Sequence, residues 1–387
     1  MKKKKLFRIT TVPMSLKYLL DGQMSFMSKN GFDVVMISSD GIELKDVIKN
    51  ESCRHIIVPL TRKITIFKDL FALFTLLRFL KKEKPDIVHT HTPKAGIIGM
   101  FASYLANIPI RLHTVAGLPL LEATGFKKFI LNLVEILTYY FATKIYPNSY
   151  GLKKIILENK FTSENKIKVI GNGSSNGIDT SYFNPKKFTF EEKNTLKNYL
   201  GIENSDFVYT FLGRIVSDKG INELVKSFEK LSKEKKGIKL LIVGPFEDNL
   251  DPIKNETKYI IENNKKIILT GYKNDVRPYF AVSNLLVFPS YREGFPNAVM
   301  QAGSMALPCI VSDINGCNEI ITNNINGLIV PSKDDKALYD AMKKILGDEI
   351  LYKKLKNNSR SMIEKLYERK SFWKLLLDEY NYHSKLL

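Results

Sequence analysis

The chain has little of what marks several large protein classes. Its three cysteines, Cys53, Cys309 and Cys317, are odd in number and fit no metal-binding spacing, which favours free thiols in a reducing cytoplasm. No stretch reaches the roughly 18 uninterrupted apolar residues of a membrane-spanning helix. The basic start, MKKKKLFRITTVPMS, lacks the apolar core of a signal peptide. The chain also has no GxGxxG, so it carries no signal for a redox dinucleotide.

Positive charge is what the chain has in excess. Its 387 residues carry a formal charge of +19. Residues 1–170 hold 27 Lys and Arg against 13 Asp and Glu, whereas the remaining residues hold 32 against 27. A basic amino-terminal half predicts an anionic partner, such as a membrane surface or phosphate groups. Nucleic acid is not predicted, because the sequence has no recognisable nucleic-acid module and no basic strand with interleaved aromatic residues.

Strand-like and helix-like runs alternate along both halves of the chain, which predicts parallel sheets covered by helices on both faces. The first-half strands are predicted at Leu6–Val12, Asp33–Ser38, Asp86–Thr90, Ile110–Thr114, Lys144–Pro147 and Lys166–Ile170. The helices between them are predicted at Leu19–Asn30, Phe67–Lys82, Gly96–Ala106, Lys127–Ala142 and Gly151–Asn159. The second-half strands are predicted at Phe207–Leu212, Lys239–Val243, Lys266–Thr270, Leu285–Phe288, Cys309–Ser312 and Gly327–Val330.

We therefore expect an α/β protein with two Rossmann-like domains in tandem. The first domain is expected at residues 1–185 and the second at residues 195–365, with the join in the polar stretch Asp179–Asn198. The last segment, residues 366–387, is a charged helical run with Phe372, Trp373 and Tyr380 as anchors. We expect it to pack back onto the first domain.

Two predicted helices of the first half are unusually apolar. Phe67–Leu80 is apolar over most of its circumference and is followed by lysines. Gly125–Lys144 combines Lys127 and Lys128 with an apolar body that ends in aromatic residues. Both patterns fit interior helices that cover a sheet. The second also fits a helix that lies in a membrane interface, and because the amino-terminal half is basic we favour that interpretation for it.

A turn centred on Glu293 and Gly294 lies between an apolar run, Asn284–Phe288, and the start of a helix after Pro296. In open α/β sheets ligands bind at the carboxyl ends of strands, and the N–H groups of a first helical turn favour anionic or hydroxyl-rich ligands. A carboxylate in such a turn can accept hydrogen bonds from sugar hydroxyls. An ordinary strand-to-helix loop with one exposed Glu is the alternative interpretation.

Two basic residues occupy a second junction of this kind. The strand Phe207–Leu212 ends at Gly213, Arg214 follows it, and Lys219 precedes a helix. A diphosphate favours this arrangement, because Arg can engage two phosphate oxygens and Lys adds a point charge. Two solvated charges in a loop are the alternative interpretation.

Five motifs follow one another in the second half: GRIVSDKG, LLIVG, TGYKNDVRPYF, PSYREGFPNAVMQAG and NGLIVP. Together they resemble the retaining glycosyltransferases of family 4, also called group 1, whose GT-B fold has two Rossmann-like domains and an inter-domain cleft. The first half resembles the capsule, O-antigen and lipid-linked oligosaccharide branch of that family through DIVHTHTPKAG, RLHTVAGLPL and GNGSSNGID.

The resemblance implies a donor site in the second domain. Arg214 and Lys219 would bind the donor diphosphate and stabilise the leaving nucleoside diphosphate. Glu293 matches the first acid of the family's E-x7-E motif and would lie under the donor sugar. The remaining donor-binding residues would be Gly213, then Gly294, Phe295, Pro296 and Asn297 around the sugar and phosphates, largely through backbone N–H groups, and Gly271, Tyr272 and Lys273 around the base.

Two positions depart from the family pattern. The second acid of E-x7-E is replaced by Gln301, which is neutral but can still accept a hydrogen bond from the ribose through its carbonyl. Many relatives have a catalytic-site histidine where this chain has Ala116. His113 lies three residues earlier, and it could take part in the site or face the core at the end of its strand.

Four residues are assigned to the acceptor side of the site. His89 and His91 lie on one face of a strand end, because side chains alternate along a strand. They could contact the acceptor or have a structural role. Lys94 and Asn176, in the motifs that carry the first-half resemblance, are assigned to the same side.

The sequence thus predicts a glycosyltransferase. It would move a hexose or an N-acetylhexosamine, with retention, from a nucleoside-diphosphate donor, expected to be UDP-linked, to a polyprenyl-diphosphate-linked saccharide in cell-surface polysaccharide biosynthesis. No cofactor or metal is expected, because the sequence has no Cys/His zinc pattern and no DxD pair. The expected location is cytoplasmic, peripheral on the anionic inner face of a bacterial plasma membrane. A sugar-nucleotide epimerase on the same fold and a non-catalytic nucleotide-sugar-binding subunit are the alternatives.

Overall fold

The computed structural model describes residues 3–62, 65–247 and 251–385, apart from the side chain of Glu122. The chain divides into two compact units, Met1–Gly177 with Arg369–Leu387, and Ile178–Glu368. Each unit contains a six-stranded sheet in which every neighbouring pair is parallel. The predicted α/β class with two Rossmann-like domains is therefore confirmed. Leu386 and Leu387, at the end of the predicted terminal helix, lie outside the described residues.

The first unit is built from six strands and eight helices within the described residues. Its strands are β1 (Lys4–Ile9), β2 (Phe32–Ser38), β3 (Arg54–Ile57), β4 (Ile87–His91), β5 (Ile110–Val115) and β6 (Lys144–Pro147). Its helices before the crossing to the second unit are α1 (Pro13–Leu19), α2 (Gln23–Lys29), α3 (Leu44–Glu51), α4 (Ile66–Glu83), α5 (Pro93–Leu105), α6 (Gly125–Phe141) and α7 (Tyr150–Glu158). The strand order is β3-β2-β1-β4-β5-β6.

The second unit repeats this architecture. Its strands are β7 (Phe207–Leu212), β8 (Ile238–Val243), β9 (Ile267–Leu269), β10 (Leu285–Phe288), β11 (Cys309–Ser312) and β12 (Gly327–Val330), in the order β12-β11-β10-β7-β8-β9. Its helices are α8 (Phe190–Leu200), α9 (Ile221–Glu234), α10 (Asn255–Asn263), α11 (Arg277–Ala281), α12 (Asn297–Ser304), α13 (Cys317–Ile320), α14 (Asp335–Gly347) and α15 (Glu349–Tyr367). The last helix, α16 (Arg369–Lys385), belongs to the first unit.

Alternate residues of the strands enter separate cores on the two faces of each sheet. In β1, Phe7 and Ile9 join one cluster and Leu6 joins the other. In β7, Tyr209 and Phe211 join the larger cluster of the second unit, and Val208 joins the smaller one. Burial on both faces explains the continuous apolar runs from which most strands were predicted.

Most predicted strands match the observed ones, and five of them match to the residue: Lys144–Pro147, Phe207–Leu212, Leu285–Phe288, Cys309–Ser312 and Gly327–Val330. The strand predicted at Lys166–Ile170 is wrong. Residues Glu164–Lys166 form a 3-10 turn, and only Ile167 forms a bridge, to Ile145 on the edge strand β6.

Two further differences have local causes. The helix predicted at Leu19–Asn30 begins only at Gln23, as α2, and the separate helix α1 before it was not predicted. Gly22, between the two helices, has a φ of +77°, and a Cβ atom there would lie 2.7 Å from the Trp373 ring of α16. The pair α3 and β3 was not predicted. β3 is a four-residue edge strand, RHII, in which two of the four residues are polar.

The helix α6 has an inverted distribution of polar and apolar side chains. Its buried residues are Glu135, Thr138 and Tyr139. Its exposed large apolar residues are Phe126, Phe129, Leu133, Ile136, Leu137 and Tyr140. A helix that covers the core of a globular protein normally buries its apolar stripe. The outer face of α6 is therefore an apolar surface, although no helix in the described ranges is both long and apolar enough to cross a membrane.

The inversion places a carboxyl group in the core. Burial raises the pKa of Glu135 to about 7, from an ordinary value of 4.5. As the pH rises, the unfolded chain loses this proton before the folded protein does. The stability that neutral Glu135 contributes is therefore fully present below pH 4.5, declines between about pH 4.5 and 7, and is lost above that range.

We expect Glu135→Gln to remove this decline, because glutamine stays neutral. Between pH 5 and pH 8, the free energy of unfolding of the wild type should fall relative to that of the variant, by up to about 3 kcal/mol. Urea unfolding at the two pH values measures this difference. Glu158→Gln, at an exposed position on α7, is the control and should follow the wild type. Identical pH dependences of wild type and Glu135→Gln would contradict the expectation.

Candidate functional site

The turn after β10 brings Glu293 to the carboxyl edge of the second sheet. All four residues of β10 are buried, Pro289 and Ser290 follow it, and α12 begins at Asn297. No side chain caps the amino terminus of α12, so the N–H groups of its first turn lack such a partner. The turn thus combines a carboxylate with free backbone donors.

Two side chains hold the Glu293 carboxylate in place. Lys219 Nζ forms an ion pair with Glu293 Oε1, and both side chains are largely buried. Ser290 Oγ donates a hydrogen bond to the same oxygen at 3.0 Å, and Ser290 is fully buried. The structure therefore joins the residue predicted to face the donor sugar to a residue predicted to bind the diphosphate.

The loops after β7 and β10 lie in close contact. Gly220 has a φ of +70°, and a Cβ atom there would lie 2.0 Å from Pro289 O, so only glycine fits. The N–H of Tyr291 donates to Asp218 O at 2.8 Å, and Arg292 Nη2 pairs with Asp218 Oδ2 at 2.9 Å. These contacts fix Lys219 and Glu293 relative to each other through the backbone as well as through their charges.

The loop after β11 supports the Glu293 turn from another direction. Asn315 Nδ2 donates to the carbonyl oxygen of Glu293, and it lies 3.4 Å from that of Gly294. A side chain that follows a third strand thereby holds the carbonyl groups of Glu293 and Gly294, which constrains the position of the Glu293 carboxylate.

Arg214 lies at the end of β7 and is more exposed than Lys219. Its Nη1 pairs with Glu247 Oε2 at 2.9 Å, and 41% of its side chain is exposed. The preceding residue, Gly213, donates from its N–H to Val243 O at 3.0 Å and continues the ladder with β8. Both predicted diphosphate-binding cations are thus paired with carboxylates in the protein alone.

The predicted base-binding loop, Gly271–Lys273, follows β9 at the sheet edge. Gly244 donates from its N–H to Gly271 O at 3.0 Å, which ties this loop to the end of β8. Tyr272 is exposed, and Lys273 Nζ lies 5.8 Å from the centroid of the Tyr279 ring.

The other predicted donor-binding residues follow Glu293 into α12. The Phe295 ring is buried against the Tyr367 ring, with centroids 5.3 Å apart, so only its backbone can line a site. Pro296 has no N–H, so donors at this turn come from Gly294, Phe295 and Asn297. Gln301 lies on α12 and is partly exposed, and its side-chain amide has no hydrogen-bond partner among the described residues.

The structure places His113 in the interior of the first unit. It is 2% exposed, and its Nδ1 lies 2.8 Å from Thr90 Oγ1. The ring packs against Gly96, where a Cβ atom would lie 2.6 Å from it, and burial lowers the pKa of His113 to about 3. This is the core-facing position of the two alternatives, and a catalytic role for His113 stays a prediction.

The other four predicted residues of the first half have partners within the same unit. The rings of His89 and His91 are buried side by side, with centroids 4.3 Å apart. Lys94 Nζ pairs with Asp69 at 2.7 Å. Asn176 is buried and accepts hydrogen bonds from Gln23 Nε2 at 2.9 Å and from Trp373 Nε1 at 2.6 Å. Their acceptor-side roles stay predictions.

Comparisons with known proteins identify the family. Residues 192–362 match the model for group 1 glycosyl transferases, and residues 14–149 match the model for glycosyl transferase 4-like domains. The capsular polysaccharide biosynthesis glycosyltransferase CapM of Staphylococcus aureus is 36% identical over 381 residues, which are 98% of this chain and 98% of CapM. The chain belongs to the group 1 glycosyltransferases. It is an enzyme of this class, as predicted.

Two more proteins extend the likeness of this glycosyltransferase. The UDP-Gal:alpha-D-GlcNAc-diphosphoundecaprenol alpha-1,3-galactosyltransferase of Escherichia coli is 31% identical over 340 residues, which cover 85% of this chain and 84% of that enzyme. The crystal structure of Anabaena Alr3699/HepE with UDP and glucose aligns with a TM-score of 0.82 at 14% identity, over 98% of this chain and 99% of that one. At that identity the structural likeness shows the fold alone.

Four residues of the glycosyltransferase's candidate site were missed from the sequence. They are Asp218, Ser290, Arg292 and Asn315, and each lies in a loop that follows a strand of the second sheet. The feature of the sequence that could have identified them is their position in loops that follow buried apolar runs. Within the described residues, no three His, Cys, Asp or Glu side chains come together as a group that could hold a metal ion.

We expect Ser290→Ala to lower kcat about tenfold while changing the KM for the donor little. The variant removes a hydrogen bond that orients the Glu293 carboxylate and leaves the cations untouched. Initial rates of sugar transfer over a range of donor concentrations measure both constants. Ser361→Ala, at an exposed position on α15, is the control. If kcat is unchanged, Ser290 does not position Glu293.

Proposed function

We propose that this glycosyltransferase moves a sugar, with retention at the anomeric carbon, from a UDP-linked donor to a polyprenyl-diphosphate-linked saccharide in cell-surface polysaccharide biosynthesis. The observation that carries the proposal is the convergence at one sheet edge of Glu293, Lys219 and the start of α12, with Arg214 in the same loop as Lys219. This set offers an acceptor for sugar hydroxyls beside cations and backbone donors for phosphates.

Stabilisation of the leaving group is the proposed source of catalysis. As the bond between the sugar and the diphosphate breaks, negative charge builds up on the diphosphate. Lys219 and Arg214, held in position by the protein, stabilise that charge more strongly in the transition state than in the bound donor. In this proposal side-chain cations carry out this role, and no metal ion or cofactor is assigned to it.

The two ion pairs in the protein alone occupy the cations for which the donor diphosphate would compete. Lys219 is paired with Glu293, and Arg214 is paired with Glu247. A diphosphate carries more charge than one carboxylate and offers several oxygens to each cation, so it competes for both side chains. Its binding would release Glu293 to accept hydrogen bonds from the donor sugar.

The nucleoside would lie beyond the diphosphate. Gln301 has a free amide on α12 and is proposed to accept a hydrogen bond from the ribose. The exposed ring of Tyr272, in the loop after β9, is proposed to lie near the base. A donor with UDP is also supported by a relative, since the name of the Escherichia coli enzyme specifies UDP-Gal.

The relatives also support the proposed acceptor and pathway. CapM is named for capsular polysaccharide biosynthesis, and the Escherichia coli enzyme is named for an acceptor with a diphosphoundecaprenol carrier. We extend both features to this chain as a proposal, with a hexose or an N-acetylhexosamine as the transferred sugar.

We expect Arg214→Ala and Lys219→Ala each to lower transfer by about 100-fold or more, because each removes a cation that stabilises the leaving group. A panel of nucleotide sugars, scored for transfer to a polyprenyl-diphosphate-linked acceptor, gives the activity and the donor. Circular dichroism confirms that each variant is folded. Lys226→Ala, at an exposed position on α9, is the matched control. Near-normal transfer by either variant would refute the diphosphate assignment.

A peripheral location on the anionic inner face of the plasma membrane is the second part of the proposal. Like α6, helix α4 has exposed apolar residues, and Phe67 is 88% exposed. They are Ile66, Phe67, Leu70, Phe71 and Phe74, which lie along two turns. Both helices pack against α5. Their exposed charges are basic, at Lys68, Arg78, Lys81, Lys82, Lys127 and Lys128. Their acids, Asp69, Glu83 and Glu135, are paired or buried.

An apolar face with a basic margin fits the surface of a bilayer that contains anionic lipids. The chain of the lipid-linked acceptor lies in that bilayer, so such a contact would bring the enzyme to its substrate. The sequence favoured this interpretation for α6 alone, and the exposure of α4 extends it to a second helix.

We expect the variant Phe67→Ser/Phe71→Ser and the variant Lys127→Glu/Lys128→Glu each to weaken binding to vesicles with phosphatidylglycerol about tenfold or more. The first removes apolar surface that would enter the bilayer, and the second reverses two charges. Cosedimentation with vesicles measures the partitioning. Phe190→Ser is the control, because Phe190 is an exposed aromatic residue on α8 of the second unit. Unchanged cosedimentation of both double variants would refute the membrane contact.

A further inference from the structure

Asn315 holds two consecutive carbonyl groups of the turn that follows β10. Its Nδ2 donates to the carbonyl oxygen of Glu293 and, at 3.4 Å, to that of Gly294. A side-chain amide carries two N–H hydrogens, so it can donate to both oxygens at once. Both carbonyl groups therefore face one side chain, which comes from the loop after β11.

The direction of these carbonyl groups fixes the direction of two N–H groups. No described peptide bond is cis, and in a planar trans peptide the N–H points away from the C=O of the same unit. The Glu293 carbonyl shares its unit with the N–H of Gly294, and the Gly294 carbonyl shares its unit with the N–H of Phe295. Both N–H groups therefore point away from Asn315.

These two N–H groups lack an acceptor. Gly294 and Phe295 are buried, yet neither N–H donates a hydrogen bond to any described residue. Buried backbone N–H groups are almost always paired with other backbone groups, side chains or water. Successive N–H groups on one side of a chain can together bind an anionic oxygen. The pair is therefore suited to an oxygen that a ligand supplies.

The strand order places the predicted cations on the other side of the turn from the loop that carries Asn315. β10 lies between β11, which precedes Asn315, and β7, which precedes Arg214 and Lys219. Lys219 reaches the turn from the loop after β7 and pairs with Glu293. An oxygen on that side of the turn would lie beside a cation.

The backbone of the loop after β11 also supports the turn. Gly316 has a φ of +77°, and a Cβ atom there would lie 2.3 Å from Gly294 O, so only glycine allows this close approach. The loop has a hydrogen bond of its own, in which Asn318 Nδ2 donates to Asp313 Oδ1 at 2.8 Å. The amide of Asn315 thus projects from a supported loop, which lets it orient the turn.

We propose that Asn315 is a positioning residue for the donor. It directs the N–H groups of Gly294 and Phe295 toward the loop after β7, where they donate to an oxygen of the bound nucleotide sugar. The inference rests on the proposed function and adds a residue that acts through the backbone of the turn. The oxygen belongs to the diphosphate or to a sugar hydroxyl, since both can accept from an N–H.

Two substitutions separate this role from simple packing. Asn315→Asp keeps the shape of the side chain but replaces the donor with a carboxylate, which only accepts and would repel the two carbonyl groups. Asn315→Ala removes the donor without adding charge. If the side chain only fills space, Asn315→Asp should bind the donor as the wild type does. Asn318→Ala and Asn318→Asp, at an exposed position of the same loop, are the matched controls.

The turn can be observed directly, because the dipeptide Glu-Gly occurs once in the chain, at 293–294. Cell-free synthesis with 13C-carbonyl glutamate and 15N-glycine gives one HNCO signal, which joins the Glu293 carbonyl to the Gly294 N–H. In the wild type, this proton should move downfield saturably with UDP, UDP-galactose or UDP-N-acetylgalactosamine, because it gains an acceptor. A response to UDP assigns the oxygen to the diphosphate. A response to a UDP-sugar alone assigns it to the sugar.

Both Asn315 variants should change the turn and weaken binding. In the free protein, the Glu293 carbonyl carbon should move upfield, because it loses a hydrogen bond. The dissociation constant of the nucleotide that shifts the wild-type signal should rise about tenfold or more by calorimetry. The Asn318 variants should leave both measurements unchanged.

Calorimetry on the wild type also tells the two levels of inference apart. If the wild type binds none of the three nucleotides, the proposed donor is wrong, and the role of Asn315 is refuted with it. If it binds them without moving the Gly294 proton, only the role of Asn315 is refuted. Wild-type affinity in Asn315→Asp, or an equal loss of affinity in the Asn318 variants, would also overturn that role.

Discussion

One constraint positions every group of the candidate site: all strands of each sheet run in the same direction. The loops that follow parallel strands collect at one edge, regardless of their distance along the chain. Asp218 and Arg292 are 74 residues apart and form an ion pair there. Lys219 and Glu293 meet at the same edge, and Asn315 reaches them from a third strand. The charged groups of the site are brought together by the common direction of the strands, and they come from separate local motifs.

The strands of the first sheet are also parallel, but the side chains at their carboxyl ends are of a different chemical kind. Its strands end in polar residues that are buried, including Arg8, His89 and Thr114. Buried polar groups must find partners, and here they find them largely in one another and in α16. The result is a network of neutral hydrogen-bonded side chains around one cation, whereas the second sheet presents paired opposite charges.

The fold was largely predictable because a strand that is buried on both faces of its sheet is a continuous apolar run, which can be recognised in a short stretch of sequence. The apolar run Phe207–Leu212 identifies β7 to the residue. The edge strand β3 has only four residues and a mixed composition, so nothing separated it from a loop. The strand predicted at Lys166–Ile170 is wrong for the converse reason: its alternating sequence, KIKVI, is typical of a strand, but only Ile167 pairs with the edge of the sheet.

The candidate site was predictable only in part. The motifs placed Lys219 and Glu293 at strand ends, but their pairing depends on how closely two loops approach, which Gly220 permits. A serine in a loop such as Ser290 has no sequence feature that reveals its burial. His89 and His91 were placed on one face of a strand, as observed. The partner of His89, Tyr380, comes from a helix almost 300 residues later, which no local pattern indicates.

The position of α16 has a consequence for how the protein is made. The chain leaves the first unit at Gly177, builds the whole second unit, and returns at Arg369. Arg8 and His89 are synthesised before the second unit, whereas Tyr380, whose hydroxyl contacts both of them, is synthesised after it. During translation the first unit therefore lacks α16, and with it the Tyr380 hydroxyl, until the whole second unit has been synthesised. The first unit is therefore the first to be started and the second to be completed.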